Sequence, residues 1–404
     1  MTRDADAARC YTLTAMTELF GITDLDLAPV AEKVLGGERL SLEDGLVLQG
    51  TRDIHGLGAM AHHVRTRLHG KAVFYNRNRH INYTNVCALS CRFCSFYRKR
   101  GEEGAYEMPA EQVIAVAVQA YGQGATEVHI VGGLHPWLKF DYYLRCLRGI
   151  RESCPELHIK AFTAVEIVHL SRISGLPVRD VLLALKDVGL GSMPGGGAEI
   201  FDDRVHDAVF KGKVLADRWF EVHRTAHELG IYTNATMLYG HVETPGERVK
   251  HLVKLRELQD ESLARMKAAA GGAGKSTIHH PPAAFNCMVP LSFAPENSEL
   301  GDLPGPTGLT DLKTLAITRL MLDNIPHLKA FWIMQGIHLA QVALSWGCDD
   351  LDGTVLWYDI TKRVGAGTHQ EMTVDQLHRL IREAGFDPVE RDTLYHPIAA
   401  RTVA

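Results

Sequence analysis

The pattern of apolar and polar positions along the chain changes at about residue 80. Before that point, short amphipathic segments indicate helices, and "SLEDGLVLQG" opens with a Ser-x-x-Asp pattern that is typical of a helix N-terminus. After it, short β-type runs alternate with longer helical segments, as in parallel βα units. We therefore expect an N-terminal helical extension over residues 1–75 and a larger α/β unit over residues 76–404.

The β-type runs of the second unit favour a closed barrel over an open sheet. They are "HINYTNV", "TEVHIVGG", "LHIKAFTA", "VGLGSM", "IYTNATMLYG", "FNCMVPLSF", "KAFWIMQ" and "GTVLWYD". An open, doubly wound sheet usually has about five or six strands. Runs of this number, each followed by a helical segment, predict a (β/α)8 barrel of the TIM type.

Polar and glycine-rich segments follow these runs. They are the cysteine-rich loop after the first run, and then "GGLHP", "AVEI", "PGGGAEIF", "GHVET" and "APEN". In a barrel the carboxyl ends of all strands meet at one rim, which is where the active sites of such folds lie. The pattern therefore predicts one site on that rim.

Composition narrows the classes of partner. The 404 residues include 46% apolar residues, and 43 basic against 48 acidic side chains give a net charge of −5. A weakly acidic chain has no general attraction for nucleic acid or anionic lipid. No apolar run approaches the roughly 18 residues of a membrane span, and the N-terminus lacks a signal-peptide layout. We expect a cytoplasmic protein with neither nucleic acid nor membrane as a partner.

Three of the eight cysteines are clustered, with the spacing C-x3-C-x2-C at Cys87, Cys91 and Cys94. A zinc site would need a fourth ligand, and such sites usually have a second C-x2-C pair, which this chain lacks. Three thiolates can instead hold three irons of a [4Fe–4S] cluster and leave the fourth iron open to a small molecule. The remaining five cysteines are expected to be small packing residues.

This spacing, with Phe93 directly before the third cysteine, resembles the radical S-adenosylmethionine (SAM) superfamily. The resemblance implies that SAM binds the open iron and that its reductive cleavage yields a 5′-deoxyadenosyl radical. Gly132 and Gly133 stand where the superfamily exposes backbone carbonyls to the methionyl ammonium, although a tight turn would also require glycine here. Glu199 stands where a polar residue bonds the ribose, and a solvated loop carboxylate is the alternative.

Further segments narrow the resemblance. The set "NRHINYTNVCALSCRFCSFYR", "GATEVHIVGGLHP", "KAFTAVEI", "MPGGGAEIF", "NATMLYGHVETPGERV" and "PLSFAPEN" is similar to the aminofutalosine synthases of the futalosine route to menaquinone. The similarity implies addition of the adenosyl radical to 3-[(1-carboxyvinyl)oxy]benzoate. The siblings of this family, dehypoxanthine futalosine cyclase and the FO synthase subunits, abstract hydrogen instead and remain the alternative. A zinc-binding protein without enzymatic activity is a further, more remote alternative.

The same resemblance suggests residues for the remaining parts of the site. Tyr239, Gly240 and His241 correspond to the strand-five motif near adenine, and His241 is also a candidate catalytic residue. Glu166, at the end of the third β run, is a candidate for orienting the substrate or for a proton step, and a structural carboxylate at the barrel top is the alternative. An aromatic dicarboxylate substrate also needs cationic or donor groups. The rim candidates for that role are His135, Arg204, His241, Gln335 and His369.

Three features depart from the family or add to it. Residues 262–284 are rich in Ala and Gly and predict a flexible insertion, in which "AAAGGAGKST" imitates a phosphate-binding loop without the strand that should precede it. Ala294 stands where the family usually has a histidine. The basic run "RKR" at 98–100 is either a solvated tip or a docking site for an acidic electron donor such as flavodoxin or ferredoxin.

Overall fold

A computed structural model of the chain describes residues 19–271, 280–355 and 371–398. All of its strand pairings are parallel, apart from isolated bridges. The strands are β1 (Ala72–Asn76), β2 (Asn78–Ile81), β3 (Glu127–Ile130), β4 (His158–Ala161), β5 (Ser192–Met193), β6 (Tyr232–Tyr239), β7 (Phe285–Ser292), β8 (His327–Leu328), β9 (Asp350–Gly353) and β10 (Asp387–Glu390).

The helices separate the strands from β2 to β8. They are α1 (Ala28–Gly36), α2 (Leu42–Gly50), α3 (Ile54–His69), α4 (Ala110–Gly122), α5 (Phe140–Ser153), α6 (Ala164–Ser174), α7 (Val178–Asp187), α8 (Asp203–Val209), α9 (Ala216–Glu228), α10 (Pro245–Gly271), α11 (Gly308–Met321), α12 (Trp332–Gln335), α13 (Ile337–Ala343) and α14 (Val374–Glu383). The expected cap of α2 is confirmed, because the Ser41 side chain accepts from the Asp44 amide and the Asp44 carboxylate accepts from the Ser41 amide.

The central element is a curved sheet in which β2 to β8 lie side by side in chain order. At least one helix connects each strand of this sheet to the next. Parallel strands joined by such crossovers place all their carboxyl ends at one rim. The loops that follow the strands therefore converge there, as the sequence predicts.

Strand β9 occupies the eighth position and closes the barrel between β8 and β2. Lys329 bridges to Asp350 on one side of β9. On the other side, the Asn78 amide donates to Thr354 Oγ1 at 3.1 Å, and the Thr354 hydroxyl donates to the Asn78 carbonyl at 3.1 Å. The predicted (β/α)8 barrel is thus confirmed, although a side chain rather than a continuous backbone ladder joins β9 to β2.

A second, smaller sheet includes residues 72–75, which were expected to be helical, whereas the division at 75/76 stays a prediction. Residues 54–69 are helical, but residues 72–76 form strand β1, which lies between β9 and β10. The run "AVFYN" is apolar without alternation, and a short apolar run alone does not distinguish a strand from a buried helix. The extension therefore pairs directly with the C-terminal end of the described chain.

Two other expectations about the elements are also corrected. "KAFWIMQ" does not form the seventh barrel strand, because residues 332–335 are the short helix α12 and β8 lies just before them. A short apolar run does not distinguish a buried strand from a buried helix. Glu166 does not end a strand either, since it lies in the first turn of α6 and shares a capping box with Thr163.

The predicted insertion at 262–284 is partly helical. Residues 262–271 continue α10, and the three alanines at 268–270 favour this because alanine has the highest helix propensity. Residues 280–284 lead into β7, and residues 272–279 lie outside the described part of the chain. Among the described helices, α10 included, none combines the length and the apolar character needed to cross a membrane.

Candidate active site

A cavity of about 310 Å³ opens at the carboxyl rim and extends into the barrel. Loops after β2, β3, β4 and β5 line its outer part, and side chains of the strands line its inner end. Of the residues predicted for the site, eight line this cavity. They are Cys87, Cys91, Phe93, Cys94, Gly132, Gly133, Glu166 and Glu199.

The loop after β2 brings the three predicted thiols to this cavity. The backbone amides of Leu89 and Leu134 each donate to Cys87 Sγ at 3.4 Å. The Cys94 amide donates to the Cys91 carbonyl at 3.0 Å, which tightens the turn between the second and third cysteines. Backbone groups of this loop and of the loop after β3 therefore organise the side chains that would bind a metal.

These thiols fit three corners of an iron–sulfur cluster. All three are free, and the other described cysteines are buried outside the cavity lining. Burial raises the pKa of the Cys91 thiol to about 11, and the nearby Lys213 ammonium acts in the opposite direction. Thiols in such a setting need a bound cation to stay ionised, which a cluster supplies. No fourth thiol competes for the remaining iron in the described residues.

Lys213 is a cavity residue that no sequence pattern indicated. Its ammonium bonds the Glu199 carboxylate and lies 5.1 Å from the centre of the Phe93 ring. Despite burial, Glu199 and the neighbouring thiols keep the pKa of Lys213 above its ordinary value. Glu199 itself has a φ of 44°, a conformation that costs a non-glycine residue energy and is found mainly at functional sites. A fixed pair of opposite charges therefore lies beside the cysteine loop.

Glu166 links the predicted glycine pair to α6. Its Oε1 accepts from the Gly132 amide at 3.0 Å and from the Tyr83 hydroxyl at 2.9 Å. Its Oε2 accepts from the Thr163 amide at 2.7 Å and from the Thr163 hydroxyl at 2.8 Å. Burial raises the pKa of Glu166 to about 7, against the opposing effect of these four donors. The carboxylate thus holds the backbone of the glycine pair in place.

Close backbone contacts explain two of the glycines. A Cβ on Gly133 would lie 2.8 Å from the Val86 carbonyl carbon, in the cysteine loop. A Cβ on Gly195 would lie 2.5 Å from the Asn234 carbonyl oxygen, and the Gly195 carbonyl accepts from the Thr236 hydroxyl at 2.6 Å. At both positions a side chain would separate elements that together form the cavity wall.

The strand-five motif lies behind the wall. Tyr239 donates its hydroxyl to Asp311 at 2.7 Å. The amides of Gly240 and His241 donate to Glu243 at 2.6 and 2.9 Å. His241 Nε2 donates to the Leu238 carbonyl at 3.1 Å, and burial lowers the pKa of this imidazole. Within the described chain, the lining includes Leu238 but not these three predicted residues.

The rim residues predicted to bind substrate are placed elsewhere. His135 Nδ1 accepts from the amides of Trp137 and Leu138 at 3.2 and 3.1 Å. Arg204 pairs with Glu247 at 2.7 Å, and Gln335 is buried in α12. The lining found in the described residues contains none of these three side chains, and His369 lies outside those residues.

Polar side chains instead line the inner end of the cavity. His80, His129 and Lys160 are register partners on β2, β3 and β4, so they form one row across the sheet. Lys329 and Asp352 reach the same end from the strands that close the barrel. The sequence contains a pattern that indicates this row. In "NRHI", "EVHI" and "HIKA" the residues that alternate onto the face towards the barrel interior are polar, whereas interior positions are usually apolar.

The charges at the inner end are set by burial and pairing. Burial lowers the pKa of His80 to about 4 and that of His129 well below its ordinary value, so both imidazoles are neutral near pH 7. Lys160 pairs with Glu127 at 2.9 Å, and Lys329 pairs with Asp352. Against the effect of burial, Asp352 keeps the pKa of Lys329 above its ordinary value. Burial lowers the pKa of Lys160, and the paired Glu127 carboxylate opposes this lowering. The two paired lysines are therefore the cationic groups of this end.

Comparison with known proteins agrees with these features. A profile of the radical SAM superfamily matches residues 81–255, and one of the CofH/MqnC C-terminal region matches residues 284–402. Aminodeoxyfutalosine synthase of Thermus thermophilus is 46% identical over 94% of this chain and 97% of that protein. The enzyme of the same name from Streptomyces coelicolor is 44% identical over 90% of this chain and 92% of its own length.

A differently named enzyme is also similar. The 5-amino-6-(D-ribitylamino)uracil–L-tyrosine 4-hydroxyphenyl transferase of Methanopyrus kandleri is 38% identical over 87% of this chain and 91% of that protein. Among solved structures, methylornithine synthase (PylB) shares the fold with a TM-score of 0.67 at 18% identity, covering 88% of this chain and 96% of the other. The chain therefore belongs to the radical SAM superfamily, whose enzymes use a [4Fe–4S] cluster and S-adenosylmethionine.

Proposed function

We propose that the protein is an aminodeoxyfutalosine synthase, which adds the 5′-deoxyadenosyl radical to the vinyl double bond of 3-[(1-carboxyvinyl)oxy]benzoate. The product is 6-amino-6-deoxyfutalosine, and methionine and bicarbonate are released. The observation that carries the proposal is identity of 46% and 44% to two enzymes of this name over almost their whole length. The cavity supports it as well, since its two inner ammonium groups suit a substrate with two carboxylates.

The lining of the outer part of the cavity supports the proposed cofactor-binding residues. When bound, the cluster and SAM supply the adenosyl radical, after one electron from a reductant such as flavodoxin or ferredoxin. Cys87, Cys91 and Cys94 would hold the cluster. The Lys213 ammonium and the Glu199 carboxylate lie beside Phe93, and this ion pair would bind the charged and hydroxyl groups of SAM.

The other predicted residues are proposed to act by positioning. Glu166 holds the Gly132 amide and so sets the direction of the carbonyls of the glycine pair. Tyr239, Gly240 and His241 fix the turn after β6, which places Leu238 in the cavity wall. Neither Glu166 nor His241 needs to transfer a proton in this proposal.

A hydrogen-abstracting reaction is the second candidate. It is favoured by the match of residues 284–402 to the CofH/MqnC C-terminal region and by the 38% identity to a hydroxyphenyl transferase. Enzymes of this kind would release 5′-deoxyadenosine, whereas the proposed synthase would retain the adenosyl group in its product.

Product analysis separates the two candidates. The reconstituted protein is incubated anaerobically with dithionite, SAM and the enol-ether benzoate, and the products are identified by mass spectrometry. We expect a product that carries the adenosyl mass. Free 5′-deoxyadenosine as the only nucleoside product would contradict the proposal and favour the sibling reaction.

The matched controls are Cys91→Ala and Cys146→Ala. Cys91 lines the cavity, whereas Cys146 is buried on α5 outside it. We expect Cys91→Ala to lose both the brown colour and the product, and Cys146→Ala to keep both. Iron and sulfide analysis of the same samples tests the zinc alternative, because a zinc protein would contain neither.

A further inference from the structure

The inner end of the cavity is lined by buried polar side chains that neither the cluster nor SAM requires. This end lies between the barrel strands. Cys87, the first of the three cysteines, comes six residues after the end of β2 and lies at the rim. Lys160 and Lys329 are almost completely buried at the inner end, with exposed fractions of 3% and 5%. Buried lysines are rare unless a partner compensates the charge.

The two lysine–carboxylate pairs are not arranged alike. Asp352, the partner of Lys329, lines the cavity together with that lysine. Glu127, the partner of Lys160, lies two residues before His129 on the same face of β3, farther from the rim, and is not part of the lining. Glu127 also accepts from the Thr393 hydroxyl at 2.6 Å, which holds it away from the cavity.

The inner surface of the cavity therefore presents two ammonium groups and one carboxylate. An ammonium has three N–H donors, and a single carboxylate partner leaves donors for a ligand. The rings of His80 and His129, with centres 4.4 Å apart and planes tilted by 33°, add an aromatic wall beside Lys160. This combination suits an anionic group attached to an aromatic ring.

We propose that the inner end of the cavity is a carboxylate subsite, in which Lys160 and Lys329 bind the ring carboxylate of an aryl dicarboxylate substrate. This inference rests on the proposed function, because that reaction supplies such a substrate. The vinyl group must meet the radical near the cysteine loop, so the opposite end of the molecule, which bears the ring carboxylate, points inward. His129 contacts the ring rather than the charge, since it is neutral.

The test measures binding without turnover. The saturated ether 3-(1-carboxyethoxy)benzoate has no double bond to react, and its ring methyl ester has no charge at the position of interest. Both are titrated calorimetrically into the full-length protein with cluster and SAM bound but no reductant. We expect the acid to bind about 30-fold more tightly than the ester, as for a buried charge-assisted hydrogen bond.

The variants remove the subsite without leaving a buried charge unpaired. In Glu127→Gln/Lys160→Met, and separately in Lys329→Met/Asp352→Asn, the preference for the acid should fall below about 3-fold. Lys160→Arg keeps the charge and should retain most of the preference. Lys313→Met removes a half-buried lysine that bonds the Thr51 carbonyl outside the barrel, and it should change nothing.

Two results would overturn the subsite: no preference for the acid in the unmodified protein, or an unchanged preference in both neutral double variants. Circular dichroism identifies any variant that fails to fold, and the other double variant then decides. The product assay reports separately on the proposed function. An adenosyl product together with an absent acid preference would refute only the subsite, whereas free 5′-deoxyadenosine would refute the synthase assignment whatever the binding result.

Discussion

The Glu166 carboxylate accepts a 3.0 Å hydrogen bond from the Gly132 amide, and so joins the first turn of α6 to the loop after β3. Each oxygen of the Glu166 carboxylate accepts two hydrogen bonds. A glutamine at this position would replace one oxygen with an NH2 group, which is itself a donor and would face two other donors. In Glu166→Gln, the bonds either to Gly132 and Tyr83 or to Thr163 are therefore lost, and either loss loosens the link between α6 and the glycine pair. We expect the KM for SAM to rise about 10-fold, while the iron content stays unchanged.

Steady-state kinetics at saturating substrate check this expectation. Glu111→Gln, at an exposed position on α4, is the control and should leave both parameters unchanged. If Glu166→Gln lowered kcat alone, with the KM for SAM intact, Glu166 would act in the chemical step rather than in positioning.

Lys99 stabilises the cysteine loop from outside the cavity. Its ammonium donates to the carbonyls of Cys87 at 3.0 Å and Leu89 at 2.8 Å. Lys99→Met leaves both carbonyls without this donor, so the loop should be less ordered before the cluster binds. We expect at least about a 5-fold slower reconstitution, followed by the visible absorbance of the cluster. Equal rates for Lys99→Met and the unmodified protein would show that the loop is ordered without this lysine.

The basic run at 98–100 is not a uniformly solvated tip. Arg98 donates to the carbonyls of Ser95 and Tyr97, and Lys99 is bound as described, whereas Arg100 lies 4.8 Å from the centre of the exposed Trp137 ring. Arg100 is thus the residue of this run that can meet an acidic partner. We expect Arg100→Glu to reduce flavodoxin-driven turnover about 5-fold at low salt and to spare dithionite-driven turnover.

Charge reversal at Lys99 provides the comparison for this docking hypothesis. Since Lys99 supports the loop, Lys99→Glu should lower turnover with either reductant. The hypothesis would be refuted if Arg100→Glu reduced both activities to the same extent, or if raising the salt concentration left its effect unchanged.

Buried neutral histidines should make the fold sensitive to acid. Burial lowers the pKa of His80 and His158 to about 4, and that of His227 and His251 to about 3. The unfolded chain takes up protons at these positions below about pH 6.5, whereas the folded chain does not. Their stabilising contribution is complete above pH 6.5 and is lost as the pH falls towards 3.

Each of these imidazoles should contribute up to about 1.4 kcal/mol per pH unit within that window. Urea unfolding followed by far-UV circular dichroism between pH 7.5 and 5 measures the slope. The cluster absorbance is recorded in parallel, so that loss of the cluster is recognised. A free energy of unfolding that stays constant over this range would contradict the expectation.

Gly353 closes the barrel at a point where a side chain does not fit. A Cβ there would overlap the Asn76 carbonyl oxygen and lie 2.7 Å from Asn78 Oδ1. Gly353→Ala should therefore push β9 away from β1 and the start of β2, and lower the free energy of unfolding by about 3 kcal/mol. Gly50→Ala is the matched control, because no atom lies within 4 Å of its Cβ, and it should be neutral or slightly stabilising.

Local patterns in the sequence were sufficient for the barrel and for the cluster. Alternating β and helical runs depend on neighbouring residues, and the order of the runs places their following loops at one rim. The spacing of Cys87, Cys91 and Cys94 is likewise a local property, since three thiols on one short loop reach one cluster whatever the rest of the chain does. These expectations agree with the structure for that reason.

Contacts between distant segments were decided only by the tertiary structure. Whether Lys213 meets Glu199 depends on the path of the loop that follows α8, and whether His80, His129 and Lys160 form one row depends on strand register. Strand β1 needed a partner from the C-terminal end of the chain. The His241 side chain is buried behind the cavity wall, whereas Lys160 and Lys329 line the cavity. A linear pattern does not specify these outcomes, because the environment of each side chain is set by residues far away in the sequence.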